Sequence, residues 1–249
     1  MMPKVMLITG GSRGIGASSA LQAVEQGYAV CINYLRDAQA AQLLCQQLEA
    51  RGGKAIAVQA DVSVERDVER LFVEVDERLG RLTALVNSAG TVGKASRLEN
   101  MDWQRISQVF ATNVFGTVLC CKHAILRMSN KHGGAGGAIV NVSSAASRLG
   151  SAGEYVDYAA SKGAVDSLTI GLAKEVASDG IRVNAVRPGF IRTDFHALSG
   201  DPDRVEKLKS RLPMGRGGEP EEVAAAVLWL LCEQSSYVTG SFIDLAGGL

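Results

Sequence analysis

The chain has 249 residues, 47% of them apolar and 21% charged, with 26 Lys and Arg balanced by 26 Asp and Glu. Such values describe a globular protein with enough chain to bury a core, and they exclude disordered or fibrous compositions. With no basic excess, neither a nucleic-acid nor a membrane-surface partner is expected.

Cys31, Cys45, Cys120, Cys121 and Cys232 are odd in number and lack CxxC or Cys/His spacing. They read as small core residues of a protein kept reduced in the cytoplasm, with no metal site. Met1, Met2, Pro3 and Lys4 lead directly into VMLIT, too short an apolar stretch for a signal peptide. No run of about 18 consecutive apolar residues occurs, so no membrane span is expected.

Short Val- and Ile-rich runs alternate with longer segments of helical period, the pattern of βαβ units around a parallel sheet covered on both faces. The first predicted strand is Lys4 to Thr9. The turn after it reads Gly10, Gly11, Ser12, Arg13, Gly14, Ile15, Gly16 and opens a helix over Gly14 to Gln26. Glycines there permit positive φ and close backbone approach, and the helix start offers N–H groups and a positive dipole end to a phosphate. The GxxxGxG spacing is one step off the usual dinucleotide fingerprint, so its place between a first strand and a first helix carries the reading. A βα turn with no ligand is the alternative.

The second strand, Tyr28 to Asn33, ends in Asn33, Tyr34, Leu35 and Arg36, with no carboxylate at the tip for ribose hydroxyls. Arg13 and Arg36 would face a 2′-phosphate instead, which favours NADP(H) and leaves NAD(H) as the second choice. Asp37 is expected to cap the helix Ala38 to Arg51, although a small register shift would bring it to the ribose.

The predicted elements continue with strand Lys54 to Ala60, helix Val64 to Leu79, strand Leu82 to Asn87 and one long helix, Asp102 to Lys131. After the GGAGG loop at Gly133 to Gly137 come strand Ala138 to Ser143, helix Tyr158 to Ser178, strand Ile181 to Arg187, helix Glu219 to Cys232 and a last strand, Ser241 to Leu245. This is an α/β chain with a doubly wound, seven-stranded parallel sheet of the Rossmann kind. No linker divides it, so a single domain over 1–249 is expected. Residues 192–218 resist assignment and follow a strand end, where a substrate lid would sit; a plain surface loop is the other reading.

Tyr158 and Lys162 lie four apart in YAASKGAVDSL, on one face of a helix. An ammonium beside a phenol is expected to lower its pKa from a reference of about 10 and fit it for acid–base work. Alone, this spacing is common.

Four stretches in order give it context: TGGSRGIG from Thr9, NSAG from Asn87, ATNVFG around Asn113, and VSS followed by YAASK. RPGFIRT from Arg187 and the closing VTGSFIDLAGG add two more. Across essentially its whole length the chain resembles the short-chain dehydrogenase/reductase family, notably its 3-oxoacyl reductase and glucose dehydrogenase-like members.

The resemblance implies hydride transfer between a nicotinamide cofactor and a small carbonyl or alcohol substrate, with Tyr158 as general acid and base. It implies that Lys162 holds the nicotinamide ribose and tunes Tyr158, that Ser144 donates to the substrate oxygen, and that Asn113 supports a water path through Lys162. The cofactor contacts it implies are Gly10, Ser12, Arg13, Gly14, Ile15 and Gly16 at the pyrophosphate. Asn33, Tyr34 and Arg36 would lie at the adenosine ribose, Asp61 and Val62 at the adenine, and Asn87, Ala89 and Gly90 along its ribose side. Pro188, Gly189, Ile191 and Thr193 would lie at the nicotinamide. NSAG departs from the family's usual NNAG but keeps the first Asn. Ser143 is the second choice for the serine, since strand neighbours face opposite sides.

His123 and His132 read as structural or surface residues, and His196 as a substrate contact. Asp157 is expected to cap the helix of Tyr158, and Glu154 and Tyr155 are candidate substrate contacts. Trp103 and Trp229 read as core or interface. The resemblance also implies a homotetramer through the small-residue faces around Ala159, Ala160, Gly163 and Ala164. A nucleotide-binding regulator without turnover is the competing function.

Overall fold

The computed structural model describes residues 4–249. β1 (Lys4–Thr9) alternates strictly: Val5 and Leu7 pack on one face of the sheet, Met6 and Ile8 on the other. Both faces are therefore covered, as in parallel sheets wound on two sides. The chain continues through α1 (Gly14–Glu25), β2 (Tyr28–Tyr34), α2 (Ala38–Ala50), β3 (Ala55–Gln59), α3 (Glu65–Arg78) and β4 (Ala84–Asn87). There follow α4 (Trp103–Phe110), a π-turn (Ala111–Phe115), α5 (Gly116–Met128) and β5 (Gly137–Val142). The last third holds α6 (Ala146–Leu149), α7 (Val156–Val176), β6 (Ile181–Pro188), α8 (Phe195–Leu198), α9 (Arg204–Leu208), α10 (Pro220–Leu231) and β7 (Phe242–Leu245).

The strands form one seven-stranded sheet in the order β3-β2-β1-β4-β5-β6-β7, every neighbouring pair parallel. Helices α3, α5 and α7 bury Phe72, Val75, Cys120, Met128 and Val176 against one face. Helices α1, α2 and α10 bury Ala23, Leu44, Leu48, Val227 and Leu228 against the other. The chain reverses its winding between β1 and β4, and at such a switch point a crevice opens beyond the carboxyl ends of the strands.

Three expectations change. The long helix predicted over Asp102 to Lys131 contains the π-turn, which the buried Asn113 anchors: its side chain bonds both the N–H and the carbonyl of Thr91, at 2.8 and 3.0 Å. Such insertions keep the helical direction and leave no mark on periodicity. Asp157 does not cap its helix; α7 starts one residue earlier, and both carboxylate oxygens of Asp157 take hydrogen bonds from Arg105 at 2.8 and 3.0 Å. The span 192–218 is not a bare loop but carries α8 and α9, its two ends pinned by a bridge between Ile191 and Gly218 and by Arg192 pairing with Glu206 and Glu219.

By length and composition the continuous helix Trp103–Met128 could also cross a membrane, with a mean hydropathy of 1.5. The sequence reading found no such segment because charged and polar residues interrupt the apolar run. Here Cys120, Cys121, Ala124 and Met128 of this helix belong to the core.

Candidate functional site

At the switch point lies a cleft of about 520 Å³. Thr9 Oγ1, at the end of β1, accepts from the N–H groups of Ser88 and Ala89, both at 3.1 Å, and so draws the β4 exit against the glycine turn. The fit is close enough to require glycine. Gly10 has φ +60°, and a Cβ there would lie 2.8 Å from Ala89 Cα; one on Gly16 would lie 2.7 Å from the Gly10 carbonyl oxygen.

α1 begins at Gly14 with no side-chain cap and no acid in its first turn, so its first N–H donors face the cleft without a protein partner. A backbone cradle of donors at a positive helix end is the donor set a pyrophosphate needs. Gly10, Ser12, Arg13, Gly14 and Ile15 line the cleft here, whereas Gly16 packs behind the turn.

Further along the wall stand Tyr34, Arg36, Asp37, Asp61 and Val62. Asp37 caps α2, accepting from Ala40 N at 2.9 Å, as expected; it also lies 3.9 Å from Arg13. Arg36 is exposed and forms no ion pair among the described residues. Asn33 borders the cleft, but its amide is committed inside the fold, accepting from Gly10 N at 3.3 Å and donating to the Ala60 carbonyl at 2.9 Å. Asn87 is buried and donates to Asn141 Oδ1 at 2.9 Å, away from the cleft; Ala89 and Gly90 line it.

At the other end Ser144, Tyr158 and Lys162 converge. The side chains of Ser144 and Tyr158 line the same part of the cleft. Burial pushes the Tyr158 phenol up to about 12, the nearby Ser144 hydroxyl opposing this. The expected lowering by Lys162 is absent. Burial pulls the Lys162 ammonium itself down to about 8, and its Nζ donates to the Val142 carbonyl at 2.7 Å, 5.7 Å from the centre of the Tyr158 ring.

Asn113 does not reach the cleft. It is fully buried, and its amide holds Thr91 and donates to Ser161 Oγ at 3.0 Å, so it positions the β4 exit against α7. Pro188, Gly189, Ile191 and Thr193 form the remaining wall; a Cβ on Gly189 would lie 2.9 Å from Ala246 Cα.

The sequence reading missed Gln108, Phe195 and Arg204, which also line the cleft. They come from α4 and the lid, where no local pattern shows which side chains turn inward. His196, Glu154 and Tyr155 fall together here: Tyr155 and His196 line the cleft, and Glu154 pairs with Arg204 at its edge. His123, on α5, is buried against Phe72 of α3 and does not line the cleft; the ring centroids are 5.5 Å apart.

Residues 10–249 match the family described as Enoyl-(Acyl carrier protein) reductase. The chain is 56% identical to an uncharacterized oxidoreductase, YgfF, of Escherichia coli K12, over 98% of this chain and 99% of that protein. It is 36% identical to the 3-oxoacyl-[acyl-carrier-protein] reductase FabG of Staphylococcus aureus, over 100% and 98%. The structure superposes with a TM-score of 0.90 on a short chain dehydrogenase of Burkholderia cenocepacia in complex with NADP, 32% identical over 98% of this chain and 97% of that one. A doubly wound parallel sheet, an uncapped glycine-rich helix start and this similarity over nearly the whole length agree: the chain belongs to the short-chain dehydrogenase/reductase family of oxidoreductases.

Proposed function

We propose that the chain is an NADP(H)-dependent oxidoreductase that interconverts a carbonyl and a secondary alcohol on a small molecule, with Tyr158 as general acid and base. The observation that carries the reading is the convergence of Tyr158, Ser144 and Lys162 in one cleft with the uncapped start of α1. When bound, the nicotinamide supplies or takes the hydride. With a phenol raised to about 12, Tyr158 holds its proton at neutral pH and donates it to the substrate oxygen during reduction. Ser144 donates a second hydrogen bond to that oxygen, where negative charge develops. In the reverse direction Tyr158 takes the proton back. Lys162, held by the Val142 carbonyl, keeps a positive charge in the same cleft and holds the nicotinamide ribose.

NADP(H) is favoured because Arg13 and the unpaired Arg36 flank the adenosine end, where a 2′-phosphate dianion would lie. Residues 192–218 act in this reading as a lid on a single domain spanning 1–249. Trp103, Phe115, Val118 and Ile170, all exposed apolar side chains on α4, the adjoining π-turn and helices α5 and α7, support a homotetramer joined through these helices. The five free thiols support a cytoplasmic setting.

The test is NADPH oxidation by the purified protein across 3-oxoacyl thioesters, sugars, quinones and simple ketones, repeated with Tyr158→Phe. Turnover by the native chain, lost in the variant while NADPH still binds, is expected. Equal turnover in both would refute the role of Tyr158, and NADPH binding without turnover on any class would leave the regulator reading standing.

A further inference from the structure

The lid and the loop before α7 meet at one inward-turned cation. The Arg204 side chain, at the start of α9, is only 12% exposed. Its guanidinium carbon lies 5.1 Å from the centre of the Tyr155 ring and 5.5 Å from that of Phe190. Its terminal nitrogens reach Glu154, whose side chain is 43% exposed, and Asp201 adds a second negative charge nearby.

Beside it, Tyr155 is 6% exposed and its hydroxyl is buried without a partner. A buried O–H donor left unpaired is costly, and native folds keep few of them. Tyr155 stands three residues before Tyr158, about one helical turn away, and both line the cleft.

Between the two ends the wall is aromatic. Phe195 lies 5.9 Å from the Tyr158 ring, and His196 lies 6.3 Å from both Phe195 and Phe190. Desolvation and the nearby Arg204 lower the His196 pKa, so the imidazole adds no second charge to this wall.

We propose that Arg204 and the Tyr155 hydroxyl form a carboxylate-reading subsite, so that the substrate is a carbonyl compound with a flat apolar body and a carboxylate at its far end. This rests on the oxidoreductase reading above. A guanidinium presents donors in a planar fork suited to a carboxylate, and the phenol O–H supplies one donor more. The competing account is that Arg204 only latches the lid shut through Glu154.

The probes are 3- and 4-acetylbenzoate and their methyl esters, reduced with NADPH to secondary alcohols. The native protein is expected to prefer an acid over its ester at least tenfold in kcat/KM, mainly through KM. Arg204→Gln and Tyr155→Phe, the latter keeping the ring, should each cut that acid-to-ester ratio severalfold or more. Glu154→Gln should raise it by freeing the fork. Absence of any acid preference, or a preference that survives Arg204→Gln, would overturn the subsite. So would Glu154→Gln depressing acid and ester alike, the mark of a latch.

A second arm needs no turnover. Benzoate should raise the melting temperature of the NADPH-saturated protein where benzamide does not, and Arg204→Gln should abolish the shift. Benzoate without effect on the native protein would sink the proposal. Failure to reduce all four ketones would count against the oxidoreductase reading alone, with the benzoate arm still deciding the subsite.

Discussion

Ser143 and Ser144 are neighbours in the chain whose hydroxyls serve opposite sides of the β5 exit. Ser143 Oγ donates to Asp166 Oδ1 at 2.6 Å, and Asp166 in turn takes a bond from Arg187 Nε at 3.0 Å. Ser144 Oγ accepts from Ala146 N at 3.1 Å and lines the cleft with Tyr158. In the proposed reading Ser144 is the serine that meets a substrate oxygen, the Ser143 hydroxyl being committed to Asp166. Ser144→Ala should therefore lower kcat by about 10²–10³, the usual cost of losing one donor to a developing oxyanion, with NADPH affinity kept. Ser143→Ala should keep kcat within a few-fold but destabilise the fold by about 1–3 kcal/mol, since it strips a buried carboxylate of a partner. Steady-state kinetics and urea unfolding of the two variants decide this, and a larger kcat loss in Ser143→Ala would reverse the assignment.

The pH profile of reduction should follow Lys162 rather than Tyr158. Tyr158, raised to about 12, stays protonated through the accessible range, whereas Lys162, lowered to about 8, loses its charge within it. Because reduction uses both protonated forms, kcat/KM should be flat below pH 7 and fall about tenfold per pH unit above pH 8. Lys162→Arg should remove that limb, since a guanidinium does not titrate there. A native profile that stays flat to pH 9.5 would show that Lys162 is not the titrating group.

Strand positions were legible because their signal is local. Runs such as VMLIT and AIVNV are apolar, rich in β-branched residues and bounded by glycine, and the seven observed strands fall within the predicted ones to within a few residues. The glycine turn and the Tyr158–Lys162 pair were legible for the same reason. What stayed hidden depends on partners far along the chain. Asp157 looks like a cap until Arg105, 52 residues earlier, is seen to hold it. Asn33 and Asn87, expected as cofactor contacts, have amides that bond within the fold, to the Ala60 carbonyl and to Asn141, which no local pattern shows. The direction of the Tyr158 shift could not be read either, because the spacing to Lys162 says nothing of how far either group is desolvated.

The Arg105–Asp157 pair is nearly sealed, with side chains 15% and 2% exposed, and it joins α4 to α7 beside the site. Removing one partner strands the other charge, which costs about 3–5 kcal/mol at buried pairs. Arg105→Ala should accordingly lower the unfolding free energy by that order, measured in urea at fixed protein concentration. A loss under about 0.5 kcal/mol, the size of an exposed ion pair, would show that water reaches Asp157.

Phe115, 59% exposed at the end of the π-turn, stands with Val118 and Trp103 on the outer side of the long helix. If these side chains meet a second copy, Phe115→Glu would place a carboxylate in an apolar contact and should reduce the assembly to dimers or monomers by light scattering, with far-ultraviolet circular dichroism unchanged. An unaltered mass for a native tetramer would mean that the contact lies elsewhere, and a native monomer would end the tetramer proposal.

Cofactor choice should turn on two cations with different surroundings. Arg13 lies 3.9 Å from Asp37, close enough for a weak ion pair but not for a hydrogen bond, whereas Arg36 is unpaired. Both are exposed, so neither contributes much to the fold, and a change in binding on their removal can be read directly. Arg13→Ala and Arg36→Ala should each weaken NADPH by about tenfold or more, the scale of one charge-assisted contact to a phosphate, and leave NADH within about twofold. Asp37→Asn should act in the opposite sense, favouring NADPH by removing a negative charge next to the 2′-phosphate, while the amide oxygen can still cap α2 through Ala40. Titration of the intrinsic NAD(P)H fluorescence measures both constants for each variant. Equal losses for the two cofactors in both arginine variants would show that these cations hold the shared pyrophosphate and not the 2′-phosphate.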